Sequence, residues 1–148
     1  METDQKQRRL ARLMSGYAAT GLPLTSQRRA LLEVLSGRND HPTVDQIYAE
    51  MSQSIPEVSR TTIYRSLEVL ANIGLLHRVE HPGSAVRFDP NRDPHHHFLC
   101  TACGSLTDLE QDALGGTASL AYQGQEEFQI EEISVLVRGR CHTCAEVA

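Results

Sequence analysis

Apolar positions recur every three or four residues through the first half of the chain and every second residue in its later part, which predicts helices first and strands afterwards. Residues 4–20 form the first predicted helix, with Leu10, Leu13, Met14 and Tyr17 on one stripe beside Lys6, Arg8, Arg9 and Arg12. Gly21 and Pro23 break it. Thr25 or Ser26 then caps a second helix carrying Leu31, Leu32 and Leu35, which Gly37 ends. A third begins at Thr43, where Thr43 and Gln46 have the spacing of a reciprocal capping box. The fourth, Ser59 to Asn72, has Ser59 as N-cap and Gly74 past its end. At 100° per residue, Ile63, Leu67 and Leu70 fall on one side of it, and Arg60, Thr61, Tyr64 and Arg65 broadly on the other.

Leu75 to Glu80 and Ala85 to Phe88 read as two short strands around the breaker-rich turn His81-Pro82-Gly83-Ser84. Helices followed by such a hairpin make a winged helix-turn-helix. The polar side of the fourth helix suits a DNA major groove, and read alone it suits a plain solvated face equally well. Residues 90–94, Pro-Asn-Arg-Asp-Pro, are a predicted hinge. Beyond it come strands at His95 to Thr101 and near Ser105 to Leu109, then a helix around Leu114 to Gln123 weakened by Gly115 and Gly116. A last strand runs from Phe128 to Arg138, with Ile133, Val135 and Val137 on one face. The expected class is therefore α+β. Residues 1–89 form a winged-helix domain of the kind that can bind DNA, and residues 95–148 a second, small α/β domain.

The chain has 148 residues. Each half is small enough to need a partner subunit, a metal or both. The net charge of −5 argues against a nucleic-acid partner only until it is divided along the chain. Residues 1–78 hold ten Lys/Arg against eight Asp/Glu, and residues 79–148 hold four against eleven. The positive charge lies early, where the groove-reading helix would be. No apolar run approaches the roughly 18 residues of a membrane span, and Met1 to Arg12 lacks the apolar stretch of a secretory signal. A cytoplasmic protein is expected, in which paired cysteines bind metal more often than they form disulfides.

All four cysteines stand in two pairs, Cys100-x-x-Cys103 and Cys141-x-x-Cys144. Each pair presents two sulfurs from one turn, so the two together complete a tetrahedral zinc shell with no open position, a structural site. Buried free thiols or a redox pair are the alternatives. A second constellation is His95-His96-His97, near Asp89 and Asp93 and followed by Asp108. On a strand His95 and His97 share a face and His96 points away. Imidazole plus carboxylate suits Fe(II), Mn(II), Zn(II) or Ni(II); a solvated histidine run is the plainer reading.

Taken together these residues resemble the ferric uptake regulator family from about Gly21 to Cys144. The matching stretches are Leu24-Thr25-Ser26-Gln27-Arg28, residues 41–48 (HPTVDQIY), residues 59–67 (SRTTIYRSL), Arg87-Phe88-Asp89, residues 95–104 (HHHFLCTACG) and the terminal cysteine pair. The resemblance implies a homodimeric regulator whose winged helices bind a palindromic operator in double-stranded DNA when a regulatory metal joins its two domains. It implies structural zinc on the cysteines and a regulatory Fe(II) or Mn(II), with Zn(II) as a further candidate, on His41, Asp89, His95, His97 and Asp108. Iron-uptake members usually carry glutamate at both carboxylate positions, so Asp89 and Asp108 point to the peroxide-stress branch. There His41 or His95 is the imidazole oxidised when Fe(II) meets hydrogen peroxide. A further site of the family needs a histidine eight residues before the third cysteine. Ile133 stands there, so that site is expected to be absent.

Arg60, Thr61, Tyr64 and Arg65 are the candidate DNA contacts, the arginines for phosphate or guanine. An iron, zinc or manganese uptake regulator sensing metal occupancy alone is the nearest alternative, and a metallohydrolase using the His/Asp cluster a remote one. The chain has no H-E-x-x-H, nucleophile elbow or glycine-rich phosphate loop, so no enzyme, no membrane partner and no small-molecule substrate beyond metal and peroxide are expected.

Overall fold

The computed structural model describes residues 2–80, 85–115 and 128–147. These residues gather into two compact units, Met1–Arg92 and Asp93–Ala148.

The first unit contains α1 (Glu2–Ala18), α2 (Ser26–Ser36), α3 (Val44–Ser54), α4 (Arg60–Asn72) and the antiparallel strands β1 (His77–Val79) and β2 (Arg87–Asp89). Local chemistry sets the helix starts. Thr25 and Ser59 accept from the Arg28 and Thr62 amides, and Thr43 and Gln46 close the reciprocal box that opens α3. The first helix ends at Ala18, two residues short of the expected end at Thr20. The Thr20 and Gly21 amides turn back to the carbonyls of Tyr17 and Ala18, three residues away, and the Thr20 hydroxyl also donates to Tyr17.

The apolar stripes meet in one core of Leu13, Tyr17, Leu31, Leu32, Leu35, Ile47, Met51, Ile63, Leu67, Leu70 and Phe88. Gly16 sits inside α1 because a Cβ there would lie 2.3 Å from Leu75 Cδ2. The hairpin strands are shorter than expected. The Leu75 and Leu76 amides both bond to the Leu70 carbonyl, so these buried residues finish the helix before β1 can start. The turn proposed at His81 to Ser84 lies outside the described residues.

In the second unit β3 (His96–Cys100) is central, antiparallel to β4 (Leu106–Leu109) and parallel to β5 (Leu136–Gly139). A 3-10 turn, Gln111–Leu114, follows β4, and a short helix, α5 (His142–Ala145), closes the unit. The helix expected at Leu114 to Gln123 falls largely outside the described residues: its first residue ends the 3-10 turn and Gly115 is left-handed. The last strand is a correction to expectation, beginning at Leu136 rather than Phe128. Its ladder starts only where His97 faces Leu136, and among the described residues no strand pairs with 128–134. Phe128, Ile130 and Ile133 are consequently exposed apolar residues. Among the described residues no helix is long and apolar enough to cross a membrane.

Phe88 is wholly buried and is the strand residue that ties β2 to the helical core. Phe88→Ala should lower unfolding stability by about 3–5 kcal/mol, read as a shift of the urea midpoint. A cost below about 1 kcal/mol would show that the hairpin does not share this core.

Candidate metal centres and recognition helix

In the first unit, the Phe88 amide donates to the Pro42 carbonyl at 3.0 Å and Thr43 bridges to Arg87, so the segment before α3 lies along β2 as a short extra strand. Arg87 Nη1 also donates to the His41 carbonyl at 3.2 Å. This pairing sets His41 beside Asp89, with Nε2 3.1 Å from Oδ2 and both side chains almost wholly buried. The other Asp89 oxygen accepts the Asn91 amide at 2.8 Å, which fixes the plane of the carboxylate. Upstream, Arg38 spans Asp40 and Glu50 and holds the Asp40 carboxyl below its ordinary range, first by hydrogen bonding. The loop into His41 is thus pinned.

In the second unit, β3 and β4 pair His97 with Asp108. His95 Nε2 lies 3.2 Å and His97 Nε2 3.6 Å from Asp108 Oδ1, and the two Nε2 atoms are 3.0 Å apart. His95 Nδ1 is 2.6 Å from the Asp93 carbonyl, which can only accept, so Nδ1 carries the proton and Nε2 presents a lone pair. Two imidazole nitrogens bound at about 2.1 Å and at right angles would stand about 3.0 Å apart, so the spacing fits one shared ion. His96, the middle histidine, turns away as alternation requires. Its Nδ1 accepts the Val135 amide at 3.1 Å, which ties β5 to β3.

The two cysteine turns also converge. The four sulfurs lie within 4.8 Å of one another, and Cys103 and Cys141 are 3.9 Å apart. A tetrahedron of thiolates at about 2.3 Å from zinc has edges of about 3.8 Å, so the donors fit zinc. Cys100 Sγ receives the amides of Cys141 and Cys103 at 3.3 and 3.5 Å, and these bonds pull its pKa down to about 6. The Ser105 hydroxyl lies 3.2 Å from Cys103 Sγ and lowers that thiol too. Cys144 is pushed up to about 12, chiefly because Cys141 and Cys103 crowd it. Four sulfurs this close cannot all ionise without a cation. Gly104, at φ +74°, gives the first turn its left-handed residue and returns its amide to the Cys100 carbonyl.

On α4, Ile63, Leu67 and Leu70 are buried, while Arg60, Thr61, Tyr64 and Arg65 are exposed on the opposite face. Arg60 is held rather than loose, its Nε donating to Asp45 at 2.8 Å and its guanidinium 4.1 Å from the centre of the Tyr48 ring. The sequence reading missed Asp45, Tyr48, Ser105, Asn91 and the Asp93 carbonyl. Only Ser105, next to a C-x-x-C-G turn, had a local signal.

The sequence model of the Ferric uptake regulator family matches residues 19–138. The chain is 30% identical over 146 residues to the peroxide-responsive repressor PerR of Staphylococcus aureus, covering 99% of this chain and 98% of that one. Its fold matches the Campylobacter jejuni peroxide stress regulator with a TM-score of 0.66 at 26% identity, over 80% of this chain and 88% of that one. It also matches a zinc uptake regulator solved with zinc and DNA, at a TM-score of 0.68 and 22% identity over 96% of each chain.

Thiolate character and exposure set alkylation rates. In reduced, chelator-treated protein at neutral pH, a brief iodoacetamide pulse should label exposed Cys103 well before Cys144, and added zinc should protect all four, as read by peptide mass spectrometry. Labelling of Cys144 first would contradict this order of charge.

Proposed function

The chain belongs to the ferric uptake regulator family, and from that premise we propose that it is a homodimeric, metal-dependent DNA-binding repressor that releases its operator on peroxide stress. The observation that carries this reading is the incompleteness of each donor set. His41 and Asp89 offer two ligand atoms from the first unit, and His95, His97 and Asp108 three from the second, so neither alone fills the five or six positions that Fe(II) or Mn(II) takes.

In this reading residues 90–94 are the hinge, and one ion is shared by the two sets. Occupancy then selects the minority arrangement in which both copies of α4 face successive major grooves. The exposed Phe128, Ile130 and Ile133 support burial against a second copy. Two-fold symmetry places half-sites about 10 bp apart or a multiple of it. Arg60, Thr61, Tyr64 and Arg65 contact DNA; Arg28 of α2 lines a groove with Arg65, which suits a phosphate. The four cysteines hold zinc, which staples β3 to α5.

Aspartate at 89 and 108 and the full-length likeness to a peroxide-responsive repressor favour peroxide sensing over uptake control. Fe(II), when bound, would catalyse the oxidation of an imidazole by hydrogen peroxide, one peroxide oxygen adding to the ring and the other leaving as water. The protein's part would be to offer the rings of His41 and His95 as the ligands that are oxidised. An imidazole that gains oxygen is a poorer ligand, and its loss uncouples the two units.

Two outcomes are expected. Mn(II) added to chelated protein should tighten operator binding about 5–150-fold in a gel-shift or anisotropy titration, and His97→Ala should abolish the gain. Equal affinity with and without metal would contradict the shared ion. Peroxide added to the Fe(II) form, but not the Mn(II) form, should add one oxygen to peptides containing His41 or His95 and release DNA. Unmodified histidines with DNA still bound would leave an uptake regulator responding to metal occupancy alone.

A further inference from the structure

Arg60 opens α4, and in a helix that enters a groove the N-terminal residues reach the base edges. Its side chain is exposed yet gripped from two sides by α3. The Tyr48 ring lies under the guanidinium at 4.1 Å, and Asp45 accepts Nε–H at 2.8 Å. Asp45 and Tyr48 are three residues apart and share one helix face. Tyr48 is half-buried against the core and Asp45 stands in the first turn of α3, so both grips have a rigid base. Among the described residues the ion pair engages Nε alone, leaving the two terminal nitrogens available for another acceptor pair.

That pair of donors matches the O6 and N7 acceptors of guanine, which one planar fork can read bidentately. A free arginine loses rotamer freedom when it docks; one already stacked and buttressed loses less. The Asp45 carboxylate also brings negative charge close to the DNA, where phosphates repel it. Exposed ion pairs add little to folding stability, so stability does not account for this cluster.

We propose that Asp45 and Tyr48 are positioning residues for DNA recognition, setting Arg60 as a fixed fork that reads one guanine in each half-site while Asp45 weakens attachment to other sequences. The proposal rests on the regulator reading above.

The test begins with metal-loaded wild type selecting an operator from a randomised duplex pool. Binding of variants is then measured to that duplex and to a scrambled duplex of the same length. Tyr48→Leu should weaken operator binding roughly tenfold and leave scrambled binding unchanged, whereas Tyr48→Phe should behave as wild type. Asp45→Asn should tighten scrambled binding and lower discrimination. The double variant Tyr48→Leu/Arg60→Ala should bind no worse than Arg60→Ala. Repeating the selection with Tyr48→Leu should erase one guanine per half-site and keep the other positions. Equal losses on both duplexes, additive effects in the double variant, or an unchanged selected sequence would overturn the proposal. A wild type that selects no sequence under any metal would instead sink the regulator reading and the proposal with it.

Discussion

Lone pairs that converge on one point repel unless a cation or a proton sits among them. The fold spends its most specific contacts on assembling such sets. Four sulfurs are held within 4.8 Å, and two imidazole nitrogens within 3.0 Å beside a carboxylate. Backbone amides aimed at Cys100, and the carbonyl that fixes the proton of His95, prepare these atoms as ligands rather than as ordinary polar surface. Metal affinity is in part the release of this crowding.

Different devices deliver each set. Strand pairing does it twice: the extra bridge at Thr43 lays His41 along Asp89, and the β3–β4 register faces His97 with Asp108. Tight turns do it for the cysteines. Each depends on backbone hydrogen bonds that little else in the sequence could replace, so ligand geometry and fold are specified together. Helix α4 is placed by its buried stripe of Ile63, Leu67 and Leu70, which leaves Arg60, Thr61, Tyr64 and Arg65 turned outward.

What was legible in the sequence was local. Caps at Thr25, Thr43 and Ser59 need only three following residues, and the paired C-x-x-C spacing already states two sulfurs per turn. The resemblance paired His41 with Asp89, which lies 48 residues further along the chain and follows no spacing rule. What was not legible depended on partners far along the chain. Ile133 and Val135 alternate as a strand would, but a strand exists only where another chain segment pairs with it. Leu75 and Leu76 looked like the start of the hairpin and instead close α4, because one carbonyl of that helix claims both amides. The grip of Asp45 and Tyr48 on Arg60 joins two helices, and no motif announces it.

If one ion and the operator bind the same arrangement of the molecule, linkage requires each to tighten the other by the same factor. The most direct measurement is Mn(II) affinity by calorimetry, with and without a saturating operator duplex, set beside operator affinity with and without Mn(II). Equal factors of tightening in both directions are predicted, with both lost in His41→Ala. Mn(II) affinity indifferent to DNA would contradict the account.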